Sequence, residues 1–449
     1  MIAQNSRKSR MTQCSSSRKA LLLGMAVPLL MVISQVCICA EPLGDTNDLT
    51  FAADAAAPKV IFVDINCPTC SNGNPGTESA PLCSIQAAAN RAAPGTTIFV
   101  KEGTYNEMVT VRKSGQRGRM IKFLACDGDH VVIDSPSYAC FDLAGVQYIK
   151  IHGFELTGAY GGAGTPVAHG AGIKAFPLTR TGYGAQNCMF ANNVIHHNDA
   201  GLHLVASHRN FIQNNVVSYS DEAPIRIKRG DMNRIVNNLT FNNGVKEAWG
   251  ITFYGGLGTK VIHNTIVEPA GGAVYIYEGT SNLDGAKPGS EGFCIPSAHS
   301  RVRDNICVVG GTADTDSVPL VIGSSTTTDR DPVIEELYGP IDNEYRYNLF
   351  FNANEPDAIV SWGDLSEKQT FPYYDLLSLS EFQAKHPHYG ANCVAADPLF
   401  TDAANDDFTL SPSSPAKNSA SDGKDIGVDF SSLPAAVQFT RQTWAAVNH

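Results

Sequence analysis

Arg226, Lys228 and Arg229 stand within four residues of one another, in "EAPIRIKRG" (222–230). Ile225 and Ile227 alternate with them. If this run is a strand, alternation sends the isoleucines to one face and Arg226 and Lys228 to the other. A slip of one residue would bury both cations unpaired, so the register is firm. Grouped cations bind carboxylates or sulfates through charge-assisted hydrogen bonds. They also depress one another's pKa, which makes Lys228, between Arg226 and Arg229, a candidate base. The whole chain carries a formal charge of −11, which argues against a general nucleic-acid binder. An anionic ligand would have to be met by a local patch of this kind.

Four further runs read the same way: "GIKAF" (172–176), "GLHLV" (201–205), "GITFY" (250–254) and "AVYIYE" (273–278). Their outward residues are Lys174 and Phe176, His203 and Val205, Thr252 and Tyr254, Tyr275 and Tyr277. Stacked at about 4.8 Å, these would form two rows of cations and aromatics. Cleaving a uronate polymer by β-elimination needs a neutralised carboxylate, a base for the C5 proton, and a donor for the departing C4 oxygen. Arg226 suits the first task, Lys228 the second, and Tyr254 or His203 the third. Lys174, Phe176, Thr252, Tyr275, Tyr277 and Trp249 would bind the polymer, aromatic faces stacking on sugar rings. Asp199, Asp221, Glu222 and Glu247 occupy the turns before these strands. Such carboxylates can hold Ca²⁺ through oxygen, or can balance the arginines across the turn; both readings stand open.

The elements that would position these groups repeat. "CMFANNVIHHNDAGLHLVAS", "NFIQNNVVSYSDEAPIRIKRG", "NRIVNNLTFNNGVKEAWGITFYGG" and "TKVIHNTIVEPAGGAVYIYEG" place Asn at 193, 215, 238 and 264. "VRDNICVVGG" adds Asn305, and "VQYIKIHGFELTG" is an upstream copy without the Asn. Units this short cannot bury their own apolar face and must stack. An Asn recurring at one corner can form a side-chain ladder. A β-sandwich would not repeat one residue at one corner. Asn238 heads a formal glycosylation sequon, but as a ladder residue it is expected to be buried. His196 and His197 would point to opposite faces of a regular strand and so could not chelate one ion. "CSIQAAANRAA" has Ile85, Ala88, Ala89 and Ala92 on one face, which suits a helix capping the open end of the stack.

Two more stretches complete the pattern: "VIFVDINCPTCSNGNPGTESAPLCSIQAAANRAAPGTTIFVKEGTYNE" (60–107) and "DPLFTDAANDDFTLSPSSPAKNSASDGKDIGVDF" (397–430). With these, the chain resembles the right-handed parallel β-helix proteins of the pectate-lyase-like superfamily, of the polysaccharide-lyase type. The resemblance implies an all-β solenoid over 58–430, with its opening segment and capping helix in 58–107 and a loop insertion over 310–346. It is specific as to fold rather than reaction; lyases of this fold characteristically use a Lys or Arg on this strand, often with calcium, and with the residues above the chain is expected to be a monomeric lyase of an anionic polysaccharide, with Ca²⁺ as cofactor, no nucleic-acid partner and no membrane partner once the signal is removed. The same scaffold hosts other functions. Arg226-Ile227-Lys228 matches the "RIK" of polygalacturonase-like hydrolases, but no Gly-His-Gly lies between Asp221 and that run. The Asp-Pro-His motif of uronate epimerases is missing. A non-catalytic carbohydrate-binding protein would use the same aromatic strip.

The remaining signals concern the termini and cysteines. Residues 1–40 read as a secretory signal: a basic start, "ALLLGMAVPLLMVI", then small residues to Ala40. Its apolar run is shorter than the roughly 20 residues a membrane span needs. A flexible leader (41–57) and a tail (431–449) flank the repeat domain. Nine of the 12 cysteines follow the signal, and secretion favours disulfides. Cys67, Cys70 and Cys83 suggest a loop staple, while Cys126/Cys140 and Cys294/Cys307 suggest local pairs. Only 17% of residues are charged, against 40 Gly and 24 Pro, which favours short strands over long helices.

Overall fold

The computed structural model describes residues 59–434, except 163–164, 166, 180–181, 245–248, 269–270, 279–296, 311–316, 325–341 and 364–374. The expected signal, the leader and residues 435–449 lie outside the described residues. No helix among the described residues is long and apolar enough to cross a membrane.

The repeating unit is a coil of three short strands. Phe211–Gln213, Val216–Ser218 and Ile225–Lys228 make one coil; Arg234–Val236, Leu239–Phe241 and Trp249–Tyr254 make the next. Equivalent strands pair in parallel from coil to coil, giving three ten-stranded sheets. The first sheet runs from Val60–Val63 to Glu344–Arg346, and the second from Gly103–Tyr105 to Val394–Ala395. The third runs from Val109–Val111 to Asp375–Leu377, its last pair being antiparallel. The solenoid is right-handed, the hand that parallel crossovers take. Apolar residues facing inward, such as Ile212, Val217, Ile225 and Ile227, form one continuous core.

The recurring Asn-Asn pairs divide two jobs. Asn192, Asn214 and Asn237 turn the corner between the first and second sheets at φ of 56°, 54° and 57°. Asn enters this left-handed region more readily than most residues. The second Asn of each pair is fully buried and forms the ladder. Nδ2 of Asn193, Asn215, Asn238, Asn264 and Asn305 each donates to Oδ1 of the next ladder residue, ending at Asn348, over 2.9–3.0 Å. Each accepting Oδ1 also takes the backbone N–H of the preceding ladder residue. Buried corner amides are thus satisfied without water. Asn238 has no exposed surface, in line with the expectation for its sequon. Coils approach closely where glycine opens a strand: a Cβ on Gly201 would stand 2.3 Å from Pro224 O.

At the corner after the second sheet, a carboxylate takes the place of an amide. Glu268 is 2% exposed and accepts from Thr240 Oγ1 (2.9 Å), Asn243 N (2.8 Å) and Asn243 Nδ2 (3.3 Å). Burial outweighs these bonds and pushes its pKa up to about 7. The folded state therefore holds the proton more tightly than the unfolded chain. Stability from this group is complete below the ordinary carboxylate pKa and is lost as pH rises through about 7. Glu268→Gln is expected to remove that pH dependence, leaving stability alike at pH 5 and pH 8, although its amide N–H₂ replaces one of the accepting oxygens. Urea melts of both proteins at pH 5 and pH 8 check this.

Both ends of the core are closed. The helix Ile85–Arg91 buries Ile85, Ala88 and Ala89; Ser84 caps it, and Glu107 accepts from Ile85 N and Gln86 N. At the far end the helix Leu379–Lys385, unforeseen in the sequence, buries Phe382 against Tyr345 and Trp362. The C-terminal segment returns along the outside of the second sheet. There Phe408, Val428 and Leu433 pack on Val216, Leu239 and Phe241, and Ala416 and Ile426 pack on Ile306 and Leu349.

Two expectations are corrected. Within 310–346, Val318–Ser324 is not part of a loop but a strand of the third sheet, paired with Gly272–Glu278. The local cysteine pairs do not form. Cys140 and Cys307 are free thiols in the core, whereas disulfide-bonded Cys126 packs outside it with Phe99 and Leu124. Cys294 lies outside the described residues. Cys70 and Cys83 do form the loop staple, leaving Cys67 free.

Candidate functional site

The third sheet brings the expected cations together. Lys174, His203, Arg226, Thr252 and Tyr275 pair in sequence along one row. Val205, Lys228, Tyr254 and Tyr277 form the next, with Phe176 just past the end of its own strand. Asp142 precedes Lys174 in the first row.

The first row is not the open strip that alternation predicts. Lys174, His203 and Arg226 are 3%, 7% and 6% exposed. Gly161, His169 and Gly170, described residues of the turn that leads into the strand Ala171–Ala175, fasten onto their edge. Lys174 Nζ donates to His169 O at 2.6 Å, and His169 Nδ1 bonds Glu222 Oε1. Asp199 Oδ2 accepts from Gly161 N at 2.6 Å and Gly170 N at 2.7 Å. Glu222 pairs with Arg226 at 3.3 Å. Buried charges need such partners, because removing one strands the other. Asp142 is held by Arg112 and by the Tyr138 hydroxyl. Thr252 and Tyr275, expected to meet substrate, are withdrawn. Thr252 Oγ1 donates to Gly250 O, and Tyr275 packs with Val318, Val321 and Ala358.

Solvent reaches the second row. Phe176, Lys228, Arg229 and Tyr254 are half-buried, with exposed His169 at the rim and half-buried Asp221 at the edge. Lys228 Nζ lies 5.2 Å from the centre of the Tyr254 ring. Lys174 Nζ lies 4.1 Å from the Phe176 ring, which meets His203 edge-on at 4.8 Å. Trp249 and Tyr277 occupy their expected strand positions by backbone pairing. Their side chains, and all of Glu247, lie outside the described residues.

Burial and like charge tune these groups. Burial pushes Lys174 down to about 8, opposed by Asp142, Glu222 and Asp199 and aided by Arg226. Lys228 is lowered by burial first, then by Arg229 and Arg226. His203 is held well below its ordinary value by burial, then by Arg226 and Lys174, so it is neutral at pH 7. Of the two amines of reduced basicity, Lys174 is enclosed and Lys228 is reached by solvent, so Lys228 suits proton abstraction from an anion.

The carboxylates are arranged less favourably for calcium. Asp199 and Glu222 are engaged by the amide, histidine and arginine contacts above. No three of the described His, Cys, Asp and Glu residues gather where they could hold a metal ion. For Glu222, charge balance is the reading the geometry favours.

Sequence reasoning missed two members of the cluster. Asp142 lies in "ACFDL" (139–143), whose alternation carries the same outward signal one coil upstream. His169 has no periodic signal, since it reaches the row from a loop. The histidine pair also differs from expectation. His197 leaves the strand at φ 50°, and its Nδ1 comes within 2.8 Å of His196 Nδ1. His196 Nε2 and His130 Nε2 flank the Glu155 carboxylate at 3.1 and 2.7 Å.

Residues 65–260 match the family model described as "Pel9A-like, right handed beta helix region". Three curated relatives align in part. The chain is 33% identical to the uncharacterized protein YwoF of Bacillus subtilis over 105 residues, 23% of this chain and 22% of that one. It is 37% identical to pectate lyase PEL9 of Emericella nidulans over 83 residues, 18% and 20% of the two chains. It is 28% identical to pectate lyase L of Dickeya chrysanthemi over 175 residues, 35% and 36% of the two chains. The aligned parts thus span about a fifth to a third of these relatives.

Proposed function

The chain is a right-handed β-helix protein of the pectate-lyase-like superfamily, and from that premise we propose that it is a secreted polysaccharide lyase acting on a uronate-containing polymer. The observation that carries the reading is Lys228: half-buried, lowered in pKa beside Arg229 and Arg226, and set against the Tyr254 ring. In this mechanism Arg229 receives the uronate carboxylate, which acidifies the C5 proton. Lys228 takes that proton, the C4–C5 double bond forms, and the C4 oxygen departs. Tyr254 protonates the leaving oxygen. Arg226, tied to Glu222, supplies positive field from beneath, and Lys174 with Asp142 and Asp199 fixes the floor of the groove. His203, neutral and enclosed, supports Phe176. Secretion rests on the basic, apolar and small-residue pattern of residues 1–40.

The test is incubation of the full chain with polygalacturonate, alginate and a glycosaminoglycan, with and without chelator. Rising ultraviolet absorbance of an unsaturated uronate supports the lyase. Reducing ends without that absorbance would mean hydrolysis, and retention without product would mean a binding protein. Calcium held by Asp199 and Asp221 is a separate proposal. It requires chelator to suppress turnover and added Ca²⁺ to restore it.

A further inference from the structure

The outward face of the first sheet carries a second file of cations. Arg234, Lys260 and Arg301 stand in direct register on successive coils. Arg303 and Arg346 form a shorter file beside them. Arg234, Arg301 and Arg346 are exposed, Lys260 and Arg303 half-buried. Balancing charge is sparse. Glu344 meets Arg301 at 3.5 Å and Asp304 meets Arg303 at 3.7 Å. Among the described residues Arg234, Lys260 and Arg346 have no ion pair.

Like charges opposed on neighbouring strands destabilise a sheet. Lys260 feels both effects: burial first, then Arg234, Arg301 and Arg303, lower its pKa. The file continues into Phe211, whose ring centre lies 5.1 Å from the Arg234 guanidinium, and then Met189. The other two faces are occupied: the second sheet by the C-terminal segment, the third by the candidate site. An acidic chain thus keeps one sheet face cationic against its own repulsion.

We propose that this face is a non-catalytic binding surface for an anionic polysaccharide. The choice of polymer class rests on the lyase reading above. One cation per coil, in a straight file at about 4.8 Å steps, complements a chain bearing one carboxylate per ring. Phe211 offers a flat apolar platform for a ring face. Duplex nucleic acid presents a phosphate about every 3.4 Å of axis on each strand, along a winding path, and fits a straight file poorly.

The test uses the full chain carrying Lys228→Ala, so that bound polymer is not cut, with or without Arg234→Gln, Lys260→Gln and Arg346→Gln together. Migration is compared in gels containing polygalacturonate, a neutral polysaccharide or duplex DNA. The triple variant is expected to bind polygalacturonate about tenfold more weakly, and high salt is expected to erase the difference. With Lys228 intact, cleavage of a short oligosaccharide is expected to be unchanged by the three substitutions. Equal affinity of parent and triple variant for polygalacturonate overturns the proposal. So does an equal loss on the neutral polymer, or tighter binding to DNA than to polygalacturonate. Thermal midpoints control for folding; if the triple variant unfolds, Arg346→Gln alone, exposed on its strand, must still weaken binding. If the parent makes no unsaturated product while the difference in binding stands, the lyase reading falls and the surface remains.

Discussion

Lys228→Ala is expected to cut formation of unsaturated uronate at least about a hundredfold, the lower end of what a general base contributes. Its fold should survive. Lys228 ends its strand half-buried, with the Tyr254 ring beside it. Unfolding midpoints of the two proteins should therefore agree within a few degrees. A companion measurement separates a base from a mere binding cation. Burial and the two arginines lower the Lys228 pKa, so activity should rise with pH as the amine loses its proton. Arg229→Gln removes the larger Coulombic contribution. The pKa then climbs back toward the ordinary lysine value, and the rising limb of kcat/KM against pH moves to higher pH. An Arg229→Gln profile superimposable on the parent's would sink the assignment, even if Lys228→Ala were inactive.

Asn238→Ala is expected to cost about 4 kcal/mol or more of stability, a large part of what a typical domain has. Oδ1 of Asn238 accepts from Asn215 N and Asn215 Nδ2, and its Nδ2 donates to Ile212 O, Val236 O and Asn264 Oδ1. Alanine leaves the buried Asn215 N–H without an acceptor, at about 1–3 kcal/mol, takes one bond each from Asn215 Nδ2, Ile212 O, Val236 O and Asn264 Oδ1, and opens a gap in the core of the ladder. Asn237→Gly, one residue earlier, is the contrast. Asn237 sits at φ 57°, which glycine adopts freely, and it loses only contacts near the surface. A denaturant melt should place the midpoint of Asn238→Ala far below that of Asn237→Gly. A loss under about 1 kcal/mol for Asn238→Ala would mean that water replaces the amide and that the ladder is not what holds the coils.

Much of this architecture is legible in the sequence, for a definite reason. Arg226 and Lys228 cannot face an apolar core, so their alternation with Ile225 and Ile227 fixes both register and face. Asn at one corner of successive units from Asn193 onward then aligns the coils, and the rows of the third sheet follow without further information. Burial of the first row was not legible. It depends on His169, Gly161 and Gly170, which lie in a loop without period, five residues from Lys174 in the case of His169 but 53 from Glu222. Thr252 and Tyr275 were misread for a related reason. Alternation gives the direction in which a side chain leaves the strand, but not what the next layer places over it. The Cys126/Cys140 pair rests on closeness in sequence alone, whereas Cys140 turns into the core and Cys126 packs outside it with Phe99 and Leu124. His197 escaped because the strand rule stops applying at the residue that leaves the strand.

The ladder also sets where the molecule first comes apart. Every amide from Asn193 to Asn305 points its donor toward the next coil. Opening an interior coil breaks an interface on each side, whereas a terminal coil loses one, so fraying begins at the ends and moves inward. The coil carrying Ile225–Lys228 has ladder neighbours on both sides. Its backbone amides should be among the last to exchange with deuterated solvent. Lys228 and its arginines therefore ride on one of the slowest-breathing parts of the chain, and their spacing outlasts partial unwinding at either end.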